Sequence, residues 1–481
     1  MKICIVGGGS AGWMSATTFA RLTNHEVILV ESPSISITGV GESTLFKIKH
    51  WIDLVGIGED EPHFIRETNG TFKHSIKLTN FLRKDSGGFH YPFGDNPHIH
   101  PEEWWKYKNA HPNVSCNYYG QEINPLGLLA ERGKFDKGEQ YSYQFDAVKF
   151  GQNLKNNYCQ RVKHIIGEVV GYVGDSVRLD NGEWIEADLF IDCTGFKSKL
   201  LGELLDEPFI SYEHLLPNDS AWTTRVPFID KEKQMVAYTE CTAIDNGWVW
   251  QIPLWDKIGT GYVYSSKYID DFDAKEQFES HLYNKGWDVS RCVFKKVPMK
   301  VGRYKRTWVK NVVAIGLSAG FLEPLESNSL LTVHQNLLVL YNILKRGKPS
   351  QLLKDYYNNA TSLEFDEWAD FIAVHYALTQ RDDTPYWRDI FNKQYDLTSP
   401  DNYQRFGLIA YGKEIYNDKN FSHLGAGFHY IASGMELSPY TESDPSIDYS
   451  EAWQKWENII QEKPSLYQHL KDTIYEPSQD S

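Results

Sequence analysis

Six residues near the start of the chain constrain it most: Gly7-Gly8-Gly9-Ser10-Ala11-Gly12, set between an apolar run, Lys2 to Val6, and a helical stretch, Ala11 to Leu22. A second apolar run, Glu26 to Val30, follows, so the opening predicts the strand, helix, strand unit of a doubly wound sheet. In that context each glycine has a mechanical reason. Gly7 allows the tight turn, Gly9 lets backbone approach a pyrophosphate, and Gly12 lets helix and strand pack closely. The helix start at Ser10 and Ala11 then turns its amide dipole towards the negative charge. Glu31 closes the second strand where such folds set an acid on the ribose hydroxyls, which favours an unphosphorylated ribose. FAD and NAD both meet these conditions. Alone, three successive glycines make only a flexible turn; the strand, helix and acid around them argue for a dinucleotide.

The 481 residues exceed the usual single-domain size, so two intimately packed domains are expected. Ala187 to Asp192 and Asn311 to Ile315 are further buried-strand candidates that run into Gly195 and Gly316, and both are expected to return to the first sheet. Between them, Asp219 to Pro227, Gly247 to Pro253 and Thr260 to Ser265 are rich in Thr, Val, Trp and Tyr and predict a β-rich layer over about 210–300. From Leu353 onward the pattern turns helical, most clearly in Phe365 to Leu378 and Tyr449 to Ile460. The expected fold is α/β: a doubly wound, Rossmann-like sheet within a discontinuous domain over 1–350, the β-rich layer packed against it, and a helical substrate-side region over 351–481. Only the tail after Tyr475 is expected to fray.

Composition removes several function classes. A net charge of -15 without a basic block argues against a nucleic-acid partner. Six dispersed cysteines with no Cys-x-x-Cys pair suggest neither a metal site nor a disulfide framework and fit a reducing cytoplasm. Neither a signal-peptide pattern nor an apolar run of membrane-spanning length is present, so no membrane role is expected. The 15 Trp and 29 Tyr exceed what packing requires, and some are expected to line a site for a flat ligand.

Three longer motifs narrow the reading. Gly39-Val40-Gly41-Glu42-Ser43-Thr44 follows the second strand. Trp248-Val249-Trp250-Gln251-Ile252-Pro253 places two indoles on one side of a strand that Pro253 stops. Gly316-Leu317-Ser318-Ala319-Gly320-Phe321-Leu322-Glu323-Pro324-Leu325-Glu326-Ser327 follows the last sheet strand. Singly, the first is a glycine-rich turn and the second an aromatic core strand. Together they resemble the flavin-dependent tryptophan halogenases, and the likeness extends through Asp192-Cys193-Thr194-Gly195, Gly302 to Arg306 and Arg381 to Pro385, hence through most of the chain. Related flavin hydroxylases carry Asp where Leu317 stands, which weakens a hydroxylase reading.

The resemblance implies that reduced FAD, oxygen and a halide make hypohalous acid, which passes along a tunnel walled by Trp248 and Trp250 to a lysine beside the substrate. That lysine is Lys73 of Asn69-Gly70-Thr71-Phe72-Lys73, and one held out of water with a lowered pKa would suit the role. Periodicity alone makes it a solvated residue of a half-exposed strand, since Thr71, Lys73, Ser75, Lys77 and Thr79 alternate with Phe72, Ile76 and Leu78. Glu326 is implied as the carboxylate that stabilises the cationic ring intermediate; alone, it would merely open a helix beginning near Ser327. Gly7, Gly9, Ser10, Ala11, Gly12, Glu31, Gly39, Val40, Gly41, Glu42, Gly316 and Leu325 are implied to hold the cofactor.

Asn328-Ser329 stands where the family has the halide-binding Thr-Gly. Backbone amides at a helix start bind an anion whatever the side chains, and the altered pocket is expected to favour bromide or iodide over chloride. Tyr91 takes the place of a family histidine and Phe93 is kept, so an aromatic substrate clamp survives. The lid before Phe428 to Gly434 is shorter than the family's, which points to indoles, phenols or a peptide-borne ring rather than free tryptophan. A separate flavin reductase is the implied partner, and self-association stays open. Two other readings stand beside this one: a flavin monooxygenase that hydroxylates an aromatic, and a flavoprotein module without catalysis, against which the retention of Lys73 and Glu326 argues.

Overall fold

Lys2–Val6, Glu26–Glu31 and Leu189–Asp192 form neighbouring parallel strands, because each is apolar enough to be buried on both faces. The computed structural model describes residues 1–34, 41–93, 101–393, 424–437 and 442–477. It divides into two units: Met1–Gly70, Phe145–His214 and Met299–Asp366 in the first, and Thr71–Gln144, Leu215–Pro298 and Glu367–Ser481 in the second.

The first unit holds a six-stranded sheet in the order Trp308–Val309, Val312–Ala314, Leu189–Asp192, Lys2–Val6, Glu26–Glu31, Lys163–Ile166. All pairs are parallel except the antiparallel edge pair Trp308–Val309 with Val312–Ala314. Ile3 pairs with Leu189 on one side and Val27 on the other, and Phe190 with Val312, so the distant stretches do return to the opening strand. The helix Ser10–Leu22 buries Gly12 to Ala20. Asp192 terminates its strand as a buried hub whose carboxylate accepts from Thr194 N and Oγ1, Leu200 N and Leu201 N at 2.6–3.1 Å.

In the second unit a seven-stranded sheet runs Lys295–Pro298, Ser220–Val226, Ile258–Tyr264, Gly247–Pro253, Tyr238–Ile244, Ser75–Thr79, Gly88–Pro92. It is antiparallel apart from the Tyr238–Ile244 and Ser75–Thr79 pair. The helix Asp271–Asn284 covers one face, packing Ala274, Phe278 and Leu282 onto Val226, Val249, Tyr262 and Tyr264.

The continuous alternating strand expected from Thr71 to Thr79 is instead broken at His74. Thr71–Lys73 pairs with Ser142–Asp146, while the backbone N–H of His74 donates to Ala237 O and hands the chain to the larger sheet. Lys73 is consequently fully buried, not solvated, because neighbours from both directions cover the face that alternation assigns to water. Among the described residues no helix is long and apolar enough to cross a membrane.

Candidate functional site

The glycine loop places each of its residues by steric necessity or by space. Gly7 has φ +117°, and a Cβ there would lie 2.2 Å from Cys193 O. A Cβ at Gly12 would sit 1.9 Å from Gly7 O, so this is the close strand–helix approach. A Cβ at Gly9 would meet nothing within 4 Å. Gly9 is the N-cap of Ser10–Leu22 and caps it with no side chain, so the amides of Ser10, Ala11 and Gly12 begin a helix beside open space. Gly8 has its own role: a Cβ would strike Glu31 Cδ at 2.3 Å, so the carboxylate crosses directly over it. His164 Nε2 lies 2.8 Å from Glu31 Oε2 and orients that acid; the sequence reading did not single out His164.

In the same unit the third motif converges on the loop. Gly316, at φ +69°, leaves only 2.9 Å between an added Cβ and Ala11 Cβ. Ser327 Oγ donates to Ser43 Oγ at 3.1 Å, joining this motif to the Gly41–Ser43 strand. Burial pushes the carboxyl of Glu42 up to about 7. Gly39 and Val40 lie outside the described residues, as do most of the residues ahead of Phe428 where the shortened lid was expected. Leu325 and Glu326 are wholly buried in the turn Pro324–Glu326, which Ser327 closes in the left-handed conformation at φ +56°. The next helix is Ser329–Leu344, so Glu326 stands ahead of it in a turn of its own rather than in its first turn.

Asn328 caps that helix without a side-chain hydrogen bond; its Nδ2 is buried and has no partner. Gly316, Leu317, Phe321, Leu322, Asn328 and Ser329 line a small pocket. An amide donor, a helix N-terminus and apolar walls suit a weakly hydrated anion.

The second unit holds Lys73, Tyr91, Phe93, Trp248 and Trp250. Lys73 Nζ lies 5.0 Å from the centroid of the Phe93 ring, a cation–π contact made without water. The N–H of Phe93 donates to His74 O at 2.7 Å, which fixes the ring's backbone one residue from Lys73. Tyr91 stacks on Tyr430 at 6.0 Å and meets Phe371 edge-on at 6.2 Å. Behind this strand, His90 Nδ1 lies 2.8 Å from Ser75 Oγ and Nε2 lies 3.0 Å from Glu131 Oε2, which also takes Lys77 Nζ at 2.8 Å. Burial keeps His90 below the usual imidazole range, so its Nε2–H donates to Glu131 and its Nδ1 accepts from Ser75.

The Trp248 and Trp250 rings are 6.1 Å apart. Gly261, opposite Trp250, leaves room for its indole: an added Cβ would sit 2.2 Å from Trp250 Cη2. Trp248 Nε1 donates to Tyr376 Oη at 3.1 Å, Asn218 Nδ2 donates to the same oxygen at 2.9 Å, and Tyr386 Oη donates to Asn218 Oδ1 at 3.0 Å. Nothing in the spacing of Asn218, Tyr376 or Tyr386 announces this chain; only the fold assembles it.

The family model for tryptophan halogenase matches residues 2–443. Tryptophan 7-halogenase KtzQ of Kutzneria sp. (strain 744) is 33% identical, with 98% of each chain covered. The solved apo structure of VirX1 superposes with a TM-score of 0.88 at 33% identity, covering 98% of this chain and 99% of that one. Xcc4156, a flavin-dependent halogenase from Xanthomonas campestris, gives a TM-score of 0.86 at 25% identity, covering 98% and 97%. A dinucleotide loop, a tryptophan-walled sheet and a match along nearly the whole length lead to one conclusion: the chain belongs to the tryptophan halogenase family, the flavin-dependent halogenases.

Proposed function

We propose that this enzyme converts halide to hypohalous acid with reduced FAD and oxygen, and that it uses the acid to halogenate an electron-rich aromatic ring of indole or phenol type. The observation that carries the reading is Lys73: an ammonium fully out of water, 5.0 Å from the ring of Phe93, on the unit that also carries both tryptophans. A fully buried lysine against an aromatic ring calls for a reason in the fold, and a donor that grips a small oxidant is one.

The loop fits FAD on two counts. The space beside Gly9 is one that a Cβ would fill, and Glu31 is oriented by His164 for a ribose hydroxyl. Bound reduced FAD supplies two electrons, so that oxygen, halide and a proton yield hypohalous acid and water. The halide takes the Asn328–Ser329 pocket, where Asn328 Nδ2 and the helix start supply donors and Phe321 and Leu322 supply polarisable walls; these walls favour bromide or iodide over chloride. Trp248 and Trp250 wall the passage by which the oxidant reaches Lys73.

Lys73 donates to the oxygen of hypohalous acid. Bonding electrons then withdraw towards that oxygen as the ring forms its carbon–halogen bond. Glu326 stabilises the ring cation and takes its proton, while Lys73 passes a proton to the former hypohalous oxygen so that it leaves as water; loss of the proton from Glu326 and reprotonation of Lys73 then restore both groups. Tyr91 and Phe93 hold the ring. A separate reductase supplies the reduced flavin.

The test is an aerobic assay with FAD, a flavin reductase and each halide, against a panel of indoles and phenols, read by mass spectrometry. Lys73→Met, which keeps volume and removes the donor, is expected to bind flavin and lose halogenated product. Unchanged product from that variant sinks the mechanism, and hydroxylated product without halide would identify a monooxygenase. In equimolar mixed halides, chiefly chlorinated product would overturn the halide preference.

A further inference from the structure

The ribbon of Thr71–Lys73 and Ser142–Asp146 has two unlike faces. Thr71 pairs with Gln144, Phe72 with Tyr143, and Lys73 with Ser142, and directly paired residues project to the same side. One side is an ordinary aromatic core: Phe72 stacks on Phe135 at 5.3 Å and meets Tyr141 and Tyr143 at 5.2 and 6.1 Å. The other side carries Thr71, Lys73, Ser142 and Gln144, four polar residues that are all fully buried. Thr71 is explained, since its Oγ1 donates to Pro253 O at 2.7 Å and ties the ribbon to the end of the tryptophan strand. Gln144 is not explained by the fold. Neither its Oε1 nor its Nε2 has a hydrogen-bond partner.

A wholly buried carboxamide with both ends unbonded is costly, and a water, an ion or a small molecule that completes it is one reason for a native protein to keep it. Gln144 and Lys73 are diagonal neighbours on one face, roughly 7–8 Å apart along the ribbon, within the reach of two long side chains that share one small polar molecule. We propose that Gln144 is a second hydrogen-bonding group at the oxidant site. Its Oε1 accepts the O–H of hypohalous acid while Lys73 donates to the oxygen, which leaves the halogen as the free end facing the ring. This assignment rests on the proposed role of Lys73 and adds the group that orients the oxidant as well as holding it.

The test uses Gln144→Leu and Gln144→Met in the full-length protein loaded with FAD. An apolar isostere removes an unbonded amide, so the melting temperature is expected to stay level or rise. Product formed per flavin oxidised is expected to fall at least tenfold, with kcat reduced and the substrate KM unchanged. Oxidant caught by a diffusible β-diketone trap should rise correspondingly. Wild-type coupling in both variants overturns the proposal, and so does a lowered melting temperature with activity lost in proportion, because either result makes Gln144 structural or idle. Lys73→Met run in parallel separates the two layers. If it retains product, the underlying reading fails; if it loses product while Gln144→Leu does not, only the role of Gln144 fails.

Discussion

Gly9→Ala adds one methyl at a place where the protein has nothing to object. The backbone there has φ -78° and ψ -175°, which any residue adopts, and the new Cβ would meet no atom within 4 Å. Alanine is a distinctly poorer N-cap than glycine, yet it restrains the unfolded chain, so the two effects offset in part and apoprotein stability should fall by no more than about 1 kcal/mol. Flavin binding should not escape. The methyl stands where a pyrophosphate would approach the helix start, and displacing one or two charge-assisted hydrogen bonds costs about 2–4 kcal/mol. That corresponds to a Kd for FAD weakened by roughly thirtyfold to several-hundredfold. Gly12→Ala is the contrast, because its Cβ would sit 1.9 Å from the carbonyl oxygen of Gly7, and backbone cannot step aside cheaply. It should destabilise the apoprotein by about 3 kcal/mol or more. Thermal unfolding of both apoproteins and titration by quenching of flavin fluorescence decide the matter. If Gly9→Ala binds FAD as tightly as wild type, or loses as much apoprotein stability as Gly12→Ala, the loop is not the cradle described.

Tyr376→Phe removes the oxygen that accepts from both Trp248 and Asn218, so two buried donors lose an acceptor. Urea unfolding should show a loss of about 2 kcal/mol, and leakage of oxidant to an external trap should rise as the Trp248 indole is freed. Asp192→Ala orphans four donors in the first unit and should cost about 3–5 kcal/mol, with soluble yield and urea midpoint as the measurements. Stability should fall in acid by two steps. Burial holds His74 down at about 4, against the pull of Asp136, so the unfolded imidazole takes up a proton near 6.5 that the folded one refuses; stability present above 6.5 is lost as the pH falls to 4. Burial alone would raise Glu131, but hydrogen bonds from His90 and Lys77 carry it down to about 2; its contribution is present above 4.5 and lost as the pH falls to 2. Each step is worth up to about 3 kcal/mol, less for the partly exposed Glu131, and a flat profile of melting temperature between pH 7 and 3 would contradict both.

Where local chemistry fixes geometry, the sequence was legible. A buried parallel strand must be apolar throughout, and Lys2–Val6, Leu189–Asp192 and Val312–Ala314 are; each then runs into residues that only a turn tolerates, which places them in one sheet although up to three hundred or so positions separate them. Gly247–Pro253 was legible to the residue because glycine opens it and proline closes it. The helix after Ser327 was less so. An acid followed by serine looks like a helix start, and the left-handed Ser327 that delays the helix to Ser329 has no local signature, since serine seldom takes that conformation.

The site divides along the same line. Gly12 is dictated by a backbone collision five residues away in sequence and Gly7 by one across a neighbouring strand, so a motif records them. Lys73 is different. Alternation states correctly that Thr71 and Lys73 share a face; it is silent on what lies beyond that face, and a period of two is the same whether water or protein covers it. Here the cover comes from afar. Thr71 is tied to Pro253, 182 positions on, and Phe93 arrives from a strand of another sheet to meet the ammonium. Gln144 needed the same long-range knowledge, for an amide in an aromatic strand is unremarkable until its face is known to be dry and its atoms unbonded. The polar groups proposed to act in this chain are ones that the fold removes from water, and their removal is a property of pairing, which no single stretch of residues contains.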